Sequence, residues 1–276
     1  MDTVISAVSF SELAPRFATP AAPLLIDVRR APVFDTATHL IAGATWRDPA
    51  TVAAWEKFLP RHREVVAYCV HGHEISRNTA EALQAAGISA RYLEGGIEGW
   101  QGAGGPLLRK DAAAGVPSPM NKPTRWITRE RPKIDRIACP WLVRRFIDPF
   151  AEFLYVPADR VVAEAALRGA IPYDIPDVTY THRGDRCSFD ALVDDFDLQD
   201  APLGDLAAIV RRADTGKPDL TPQSAGLLAA SLGLSAIFPD DQEMLRHGMV
   251  HYDALYAWCR QQRAGAAERH NWNYPS

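Results

Sequence analysis

Three short apolar runs, LLID (residues 24–27), VVAYC (65–69) and ARYLE (90–94), punctuate the first hundred residues of the chain. LLID and VVAYC are short apolar runs suited to buried strands of a parallel sheet, and ARYLE reads as a third strand. Between the last two lies SRNTAEALQAAG, which predicts a helix with Ser76 as N-cap and Gly87 as stop. Upstream, SFSE (Ser9 to Glu12) reads as a capping box opening a helix through Phe17. Strands alternating with helices require an α/β fold, a parallel sheet with helices on both faces.

The composition then shifts. Residues 101–123 hold four Gly, four Pro and four Ala with no periodic apolar pattern, as an exposed linker would. The expected organisation is a first domain over 1–108, a linker over 109–123, a second domain over 124–263 and a tail over 264–276. In the second domain, 135–148 reads as a helix closed by Pro149 and EFLYVP (152–157) as a strand. A helix over 158–168 stops at Gly169, and further helices are expected at 203–214, 222–232 and 240–262. This half is predicted to be α-rich α+β.

A formal net charge of −4 argues against non-specific nucleic-acid binding by the whole chain. No stretch approaches the ~18 consecutive apolar residues of a membrane helix, and the first residues lack a basic leader and a long apolar run. Cys69, Cys139, Cys187 and Cys259 are far apart and form no CxxC pair, so free thiols in the cytoplasm are expected.

The stretch YCVHGHEIS (68–76) places one cysteine and two histidines where a strand ends and a helix is about to begin. A tight loop entering a helix N-terminus turns several N–H groups inward and adds the positive end of the helix dipole. That setting favours a thiolate and holds an anion. Two rivals are weaker. A metal shared by Cys69, His71 and His73 needs a fourth ligand, and a space-filling cysteine usually sits inside an element rather than at its end. Cysteine phosphatases clamp phosphate with an arginine six positions after the cysteine, where Ile75 stands here.

LLIDVRRAPVFDTATHLIAGATW, the loop CVHGHEIS, the helix after it and YLEGGIEGW, in that order over about residues 4–108, resemble a rhodanese domain. The resemblance implies that Cys69 takes a sulfane sulfur from thiosulfate or a persulfide and passes it to a thiol or cyanide, with no cofactor required. It also implies that Val70, His71, Gly72, His73, Glu74 and Ile75 form the substrate cradle. Asp27 and Arg29 match a family Asp-Val-Arg segment of mainly structural role. Where many family loops carry arginines, Val70 and Glu74 stand here, and His71 and His73 supply positive charge only when protonated.

Residues 125–148 carry seven Lys/Arg against three acids, ordinarily a solvated face. On a helical wheel Ile137, Ala138, Trp141, Leu142 and Phe146 share an apolar face that also contains Arg145, whereas Arg136 and Arg144 lie toward the other side. A buried arginine needs a carboxylate, carbonyls or an anion, and capping of helix carbonyls is the plainest expectation. This segment, with EFLYVP, HRGDRCSFD and YDALYAW, resembles the C-terminal domain of ChrB-type chromate resistance proteins over about 124–262. That implies a role in chromate tolerance, with chromate or another oxyanion as a partner and Arg136 and Arg145 as candidate anion-binding residues. A rhodanese-like domain stands where regulatory members carry a DNA-binding region, so nucleic acid is not an expected partner.

His182, Cys187, Asp190 and Asp214 are candidate ligands for a metal in the second domain. Glu243, His247 and His251 share one helical arc but face away from the stripe Leu245, Met249, Tyr252, Tyr256 and Cys259, and are expected in solvent. Two functions follow. The first is a rhodanese-type sulfurtransferase coupled to a chromate-resistance domain; the second is an oxyanion- or metal-sensing protein whose rhodanese-like domain docks or signals.

Overall fold

The computed structural model describes residues 6–110, 123–217 and 221–265. Most of the expected linker and tail, including Trp272 and Tyr274, lies outside the described residues.

The first half is built on five parallel strands: β1 (Ala7–Val8), β2 (Leu24–Asp27), β4 (Thr45–Trp46), β5 (Val65–Tyr68) and β6 (Ala90–Leu93). They lie in the order β1-β6-β5-β2-β4. All residues of β2 and β5 are buried, as their unbroken apolar runs require. One face, through Leu24, Ile26, Val65 and Ala67, packs on Leu83 of α4 (Glu74–Ala85) and on Trp55 of α3 (Val52–Trp55). The opposite face, through Leu25, Val66 and Tyr68, joins a core that runs through Phe17 and Trp100 into Trp141, Leu142 and Phe146 of the second half. Strand β3 (His39–Ile41) pairs antiparallel with β7 (Leu107–Arg109).

Two local expectations are corrected. The Ser9–Glu12 capping box exists, yet α1 ends at Leu13 (Phe10–Leu13) and the chain continues as turns. Helix α4 starts at Glu74 with His73 at the N-cap, so Ser76 lies inside the helix and its hydroxyl has another use. Helix α5 (Gly96–Gly102) closes this half, and α2 (Ala31–Thr36) follows β2.

The second half has a parallel three-stranded sheet in the order β10-β8-β9, formed by β8 (Arg125–Arg129), β9 (Glu152–Val156) and β10 (Ile171–Pro172). Neither β8, hidden in a basic run, nor the two-residue β10 was legible from periodicity. Around it stand α6 (Asp135–Leu142), α7 (Val161–Arg168), α8 (Ser188–Asp195), α9 (Ala201–Asp214), α10 (Pro222–Ile237) and α11 (Asp241–Arg263). The helix expected over 135–148 is α only to Leu142; Val143–Ile147 form a π turn. Pro140 sits inside α6 and offers no N–H to the carbonyl of Arg136. The Tyr173 hydroxyl donates to that oxygen at 3.3 Å, so it is satisfied from outside the helix.

The halves are joined by backbone and ring contacts. Gly43 N donates to Phe146 O at 2.6 Å, and the rings of Phe17 and Phe146 meet edge-on at 5.4 Å. Arg260 of α11 donates to the carbonyls of Ala14 and Phe17 at 2.6 and 3.3 Å.

Candidate functional site

Cys69 follows β5, and four residues separate it from the α4 start at Glu74. Its side chain is nearly buried, with Sγ 3.4 Å from Ser76 Oγ. Burial pushes the thiol up, but the Ser76 hydroxyl and the amides of His73, Ser76 and Gly72 outweigh it and hold the group below the ordinary thiol range. Ser76, with its hydroxyl beside the Cys69 sulfur, is a neighbour of the candidate site that the sequence presented only as a helix cap.

The loop keeps this shape because another segment braces it. Gly72 (φ +71°) and Gly96 (φ +58°) are both left-handed. A Cβ on Gly72 would stand 2.8 Å from Gly95 N, and one on Gly96 would strike the Cys69 and Val70 carbonyls. From the start of α5, Ile97 N donates to Cys69 O at 3.0 Å and Glu98 N to Val70 O at 3.2 Å. YLEGGIEGW is therefore the clamp that orients the cysteine loop.

A cavity of about 320 Å³ opens at the sulfur, lined by Arg29, Arg30, Val33, Cys69, Val70, His71, His73, Glu74 and Ile75. Of the expected cradle residues, only Gly72 is missing from this wall; it sits behind the loop as the turn. Arg29 is buried against Asp27, its Nε 2.9 Å from both carboxylate oxygens, and its NH2 donates to His39 O at 2.9 Å. Burial raises the Asp27 carboxyl and the Arg29 guanidinium counters it, a structural pair as the Asp-Val-Arg match implied. Arg30 is exposed, and no carboxylate among the described residues pairs with it. The positive charge that the loop itself lacks thus comes from the start of α2.

His71 and His73 stack with ring centroids 5.6 Å apart, and His71 Nε2 lies 3.2 Å from Glu98 Oε2. Neither joins Cys69 in a set of convergent ligand atoms; among the described residues the group that converges is Asp135, His182 and Asp214.

In the second half, His182 Nε2 stands 3.4 Å from Asp135 Oδ2, 3.4 Å from Asp174 Oδ1 and 3.1 Å from Asp214 Oδ2. Hydrogen bonds to Asp135 and Asp174 raise His182 to about 10. Burial, then the charges of Asp135 and Asp174, push Asp214 up to about 7. Asp174 is held by Arg129 at 3.0 Å, Arg136 at 3.3 Å and the Ser188 hydroxyl at 2.9 Å. The structure thus brings together two of the four residues expected as metal ligands, His182 and Asp214. The other two point to different partners. Asp190 caps the Cys187 amide at 3.0 Å and is gripped by Arg211 at 2.8 and 2.6 Å. Cys187 is fully buried, and burial followed by the charge of Asp135 raises its thiol.

Of the two arginines expected to hold an anion, Arg136 donates to Asp174 and to the Glu130 carbonyl at 3.1 Å. Arg145 forms a two-pronged pair with Asp253 at 2.9 and 2.8 Å, a carboxylate in place of the expected helix carbonyls. His247 and His251 are half-buried rather than in solvent: His247 stacks on Phe238 at 4.0 Å, and burial lowers His251.

Residues 9–103 match the family model of the rhodanese-like domain, and residues 126–259 match that of the ChrB C-terminal domain. The protein ChrB of Cupriavidus metallidurans is 36% identical over 132 residues, 48% of this chain and 39% of ChrB. The chain thus covers well under half of that relative. Among solved structures, a rhodanese-related protein from Thermoplasma volcanium is 24% identical, covering 37% of this chain and 95% of its own, with a TM-score of 0.32. A rhodanese-like domain protein from Staphylococcus aureus is 24% identical, covering 35% and 91%, also with a TM-score of 0.32. No helix among the described residues is long and apolar enough to cross a membrane.

Proposed function

We propose that the chain is a sulfurtransferase that carries sulfane sulfur as a persulfide on Cys69, coupled to a second domain that supports chromate resistance. The observation that carries this reading is the cysteine at the end of β5, with three loop and helix amides and the Ser76 hydroxyl directed at its sulfur. Such donors stabilise sulfur as an anion, which is both the attacking state and the leaving state in sulfur transfer.

The chemistry follows from that geometry. The Cys69 thiolate attacks the outer sulfur of thiosulfate or of a persulfide, forms the Cys69 S–S bond and releases sulfite or the donor thiolate. An acceptor thiolate then attacks the outer sulfur and leaves with it, restoring Cys69. The same amides face sulfur in both halves of the cycle, and Arg30 at the cavity wall provides the charge for an anionic donor. No cofactor takes part in these steps. Four free, buried cysteines suit action in the reducing cytoplasm.

The test is mass spectrometry of the intact protein after thiosulfate or a low-molecular-weight persulfide. A gain of one sulfur on Cys69, lost on treatment with a thiol and absent in Cys69→Ser, supports the proposal. Native-rate sulfur transfer by Cys69→Ser would sink it. Oxyanion sensing by the second domain is the competing function. It requires chromate to bind residues 124–262 while Cys69 stays unlabelled.

A further inference from the structure

The imidazole of His182 is surrounded by more carboxylate than it can serve. Its Nε2 lies 3.1 to 3.4 Å from one oxygen each of Asp135, Asp174 and Asp214, yet an imidazole nitrogen donates a single N–H. Asp174 has other partners in Arg129, Arg136 and Ser188. Asp135 and Asp214 do not: among the described residues no Lys or Arg pairs with either. Asp135 is 2% exposed; beyond His182 it has a long contact from Ser188 N at 3.3 Å and a hydrogen bond with the Asp214 carboxyl. A carboxylate so buried and so poorly compensated is costly, and His182 is the single cationic side chain that Asp135 and Asp214 share among the described residues.

Four chain segments supply this arrangement. Asp135 opens α6, Asp174 follows β10, His182 sits in the loop before α8 and Asp214 ends α9. One ligand atom from each of Asp135, His182 and Asp214 falls within 4.8 Å of the others. We propose that Asp135, His182 and Asp214, with Asp174 alongside, bind one divalent cation of the oxygen- and nitrogen-preferring first-row class, such as Mn²⁺. The donor set is one imidazole and two or three carboxylates, which selects against soft thiophilic ions. A divalent cation takes the place of the imidazole proton and of the proton between the Asp135 and Asp214 carboxyls, balances their two charges and uses the Nε2 lone pair as a ligand. The His182 side chain is 41% exposed, so the site is reached from solvent. Arg129 and Arg136 then act on the cation through Asp174, orienting its carboxylate.

This site differs from the ligand set expected from chain proximity, because Cys187 and Asp190 are replaced by Asp135. It does not depend on the chemistry at Cys69. The experiment uses the full chain, stripped with a chelator and titrated with MnCl₂, with free Mn²⁺ followed by electron paramagnetic resonance. Manganese is the probe because it binds thiolates weakly and so reports little from the four cysteines. One bound Mn²⁺ per chain is expected, in the parent protein and in Cys69→Ser and Cys187→Ser. His182→Gln and Asp214→Asn should each weaken binding tenfold or more while keeping the parent circular dichroism and a cooperative melt. Two variants on separate segments guard against one failing to fold. Absence of stoichiometric Mn²⁺ in the parent chain, equal affinity in both folded variants, or loss of binding in Cys187→Ser would overturn the proposal.

Discussion

The Ser76 hydroxyl lies 3.4 Å from the Cys69 sulfur and donates to the His73 carbonyl at 3.1 Å, so the Cys69 thiol and the start of α4 share one polar atom. In the thiol state Ser76 keeps its bond to His73 and accepts from sulfur. Once sulfur ionises, the same hydroxyl can turn and donate to it.

Removing that hydroxyl should raise the Cys69 pKa. A hydrogen bond to a charged group is worth about 1.5–3 kcal/mol, and its loss favours the thiol over the thiolate. The pH midpoint of iodoacetamide alkylation of Cys69 is therefore expected to move up in Ser76→Ala, with a slower rate at pH 7. An unmoved midpoint would show that the backbone amides alone set the thiolate.

The clamp at Gly96 should tolerate no side chain. A Cβ there meets the Cys69 and Val70 carbonyls at a φ of +58°, so both space and conformation oppose it. Gly96→Ala is expected to cost about 1–3 kcal/mol in urea denaturation and to slow Cys69 alkylation. Gly102→Ala is the control, since nothing lies within 4 Å of a Cβ there and it should change neither reading.

Arg30 supplies charge to the cavity without touching sulfur chemistry directly. For a partly exposed pair the attraction is about 1 kcal/mol, or roughly fivefold in binding. Arg30→Ala should therefore raise the KM for thiosulfate about fivefold and leave alkylation by neutral iodoacetamide unchanged. Raising the ionic strength should reduce the difference between the two proteins. Equal KM values would place the anion contact on the loop amides instead.

Arg145 and Asp253 form a pair with side chains only 17% and 9% exposed, and Trp141 Nε1 also donates to Asp253 at 2.8 Å. Truncating one partner strands the other charge, so Asp253→Ala is expected to lose about 3–5 kcal/mol of stability by chemical denaturation. A loss below ~1 kcal/mol, the level of an exposed pair, would mean that water reaches the pair.

How far these features were legible depends on the length of chain that encodes them. Runs such as LLID and VVAY announce buried strands because their pattern is complete within four residues. The α11 core stripe, Leu245 to Cys259, is equally local and is buried as expected. Ser76 misled because Ser is a good N-cap by type, whereas the tight turn at Gly72 lets α4 begin earlier and turns that hydroxyl toward Cys69. Cys187 and Asp190 looked like partners of His182 because they are close in sequence. In the fold Asp190 is taken by Arg211, 21 positions away, since a buried carboxylate finds whichever cation the packing brings.

The sequence by itself determined the alternation of strands and helices, the placement of Cys69 at a strand end and the two-part character of the chain. Hydrophobic period and turn residues act over a few positions, so a single stretch suffices to carry them. Only the tertiary structure decided that YLEGGIEGW clamps the cysteine loop, that Arg30 faces its cavity, and that Asp135, Asp174, His182 and Asp214 meet. Those relationships are set by how helices and sheets pack across distant segments, and burial then makes each unpaired charge costly enough to matter.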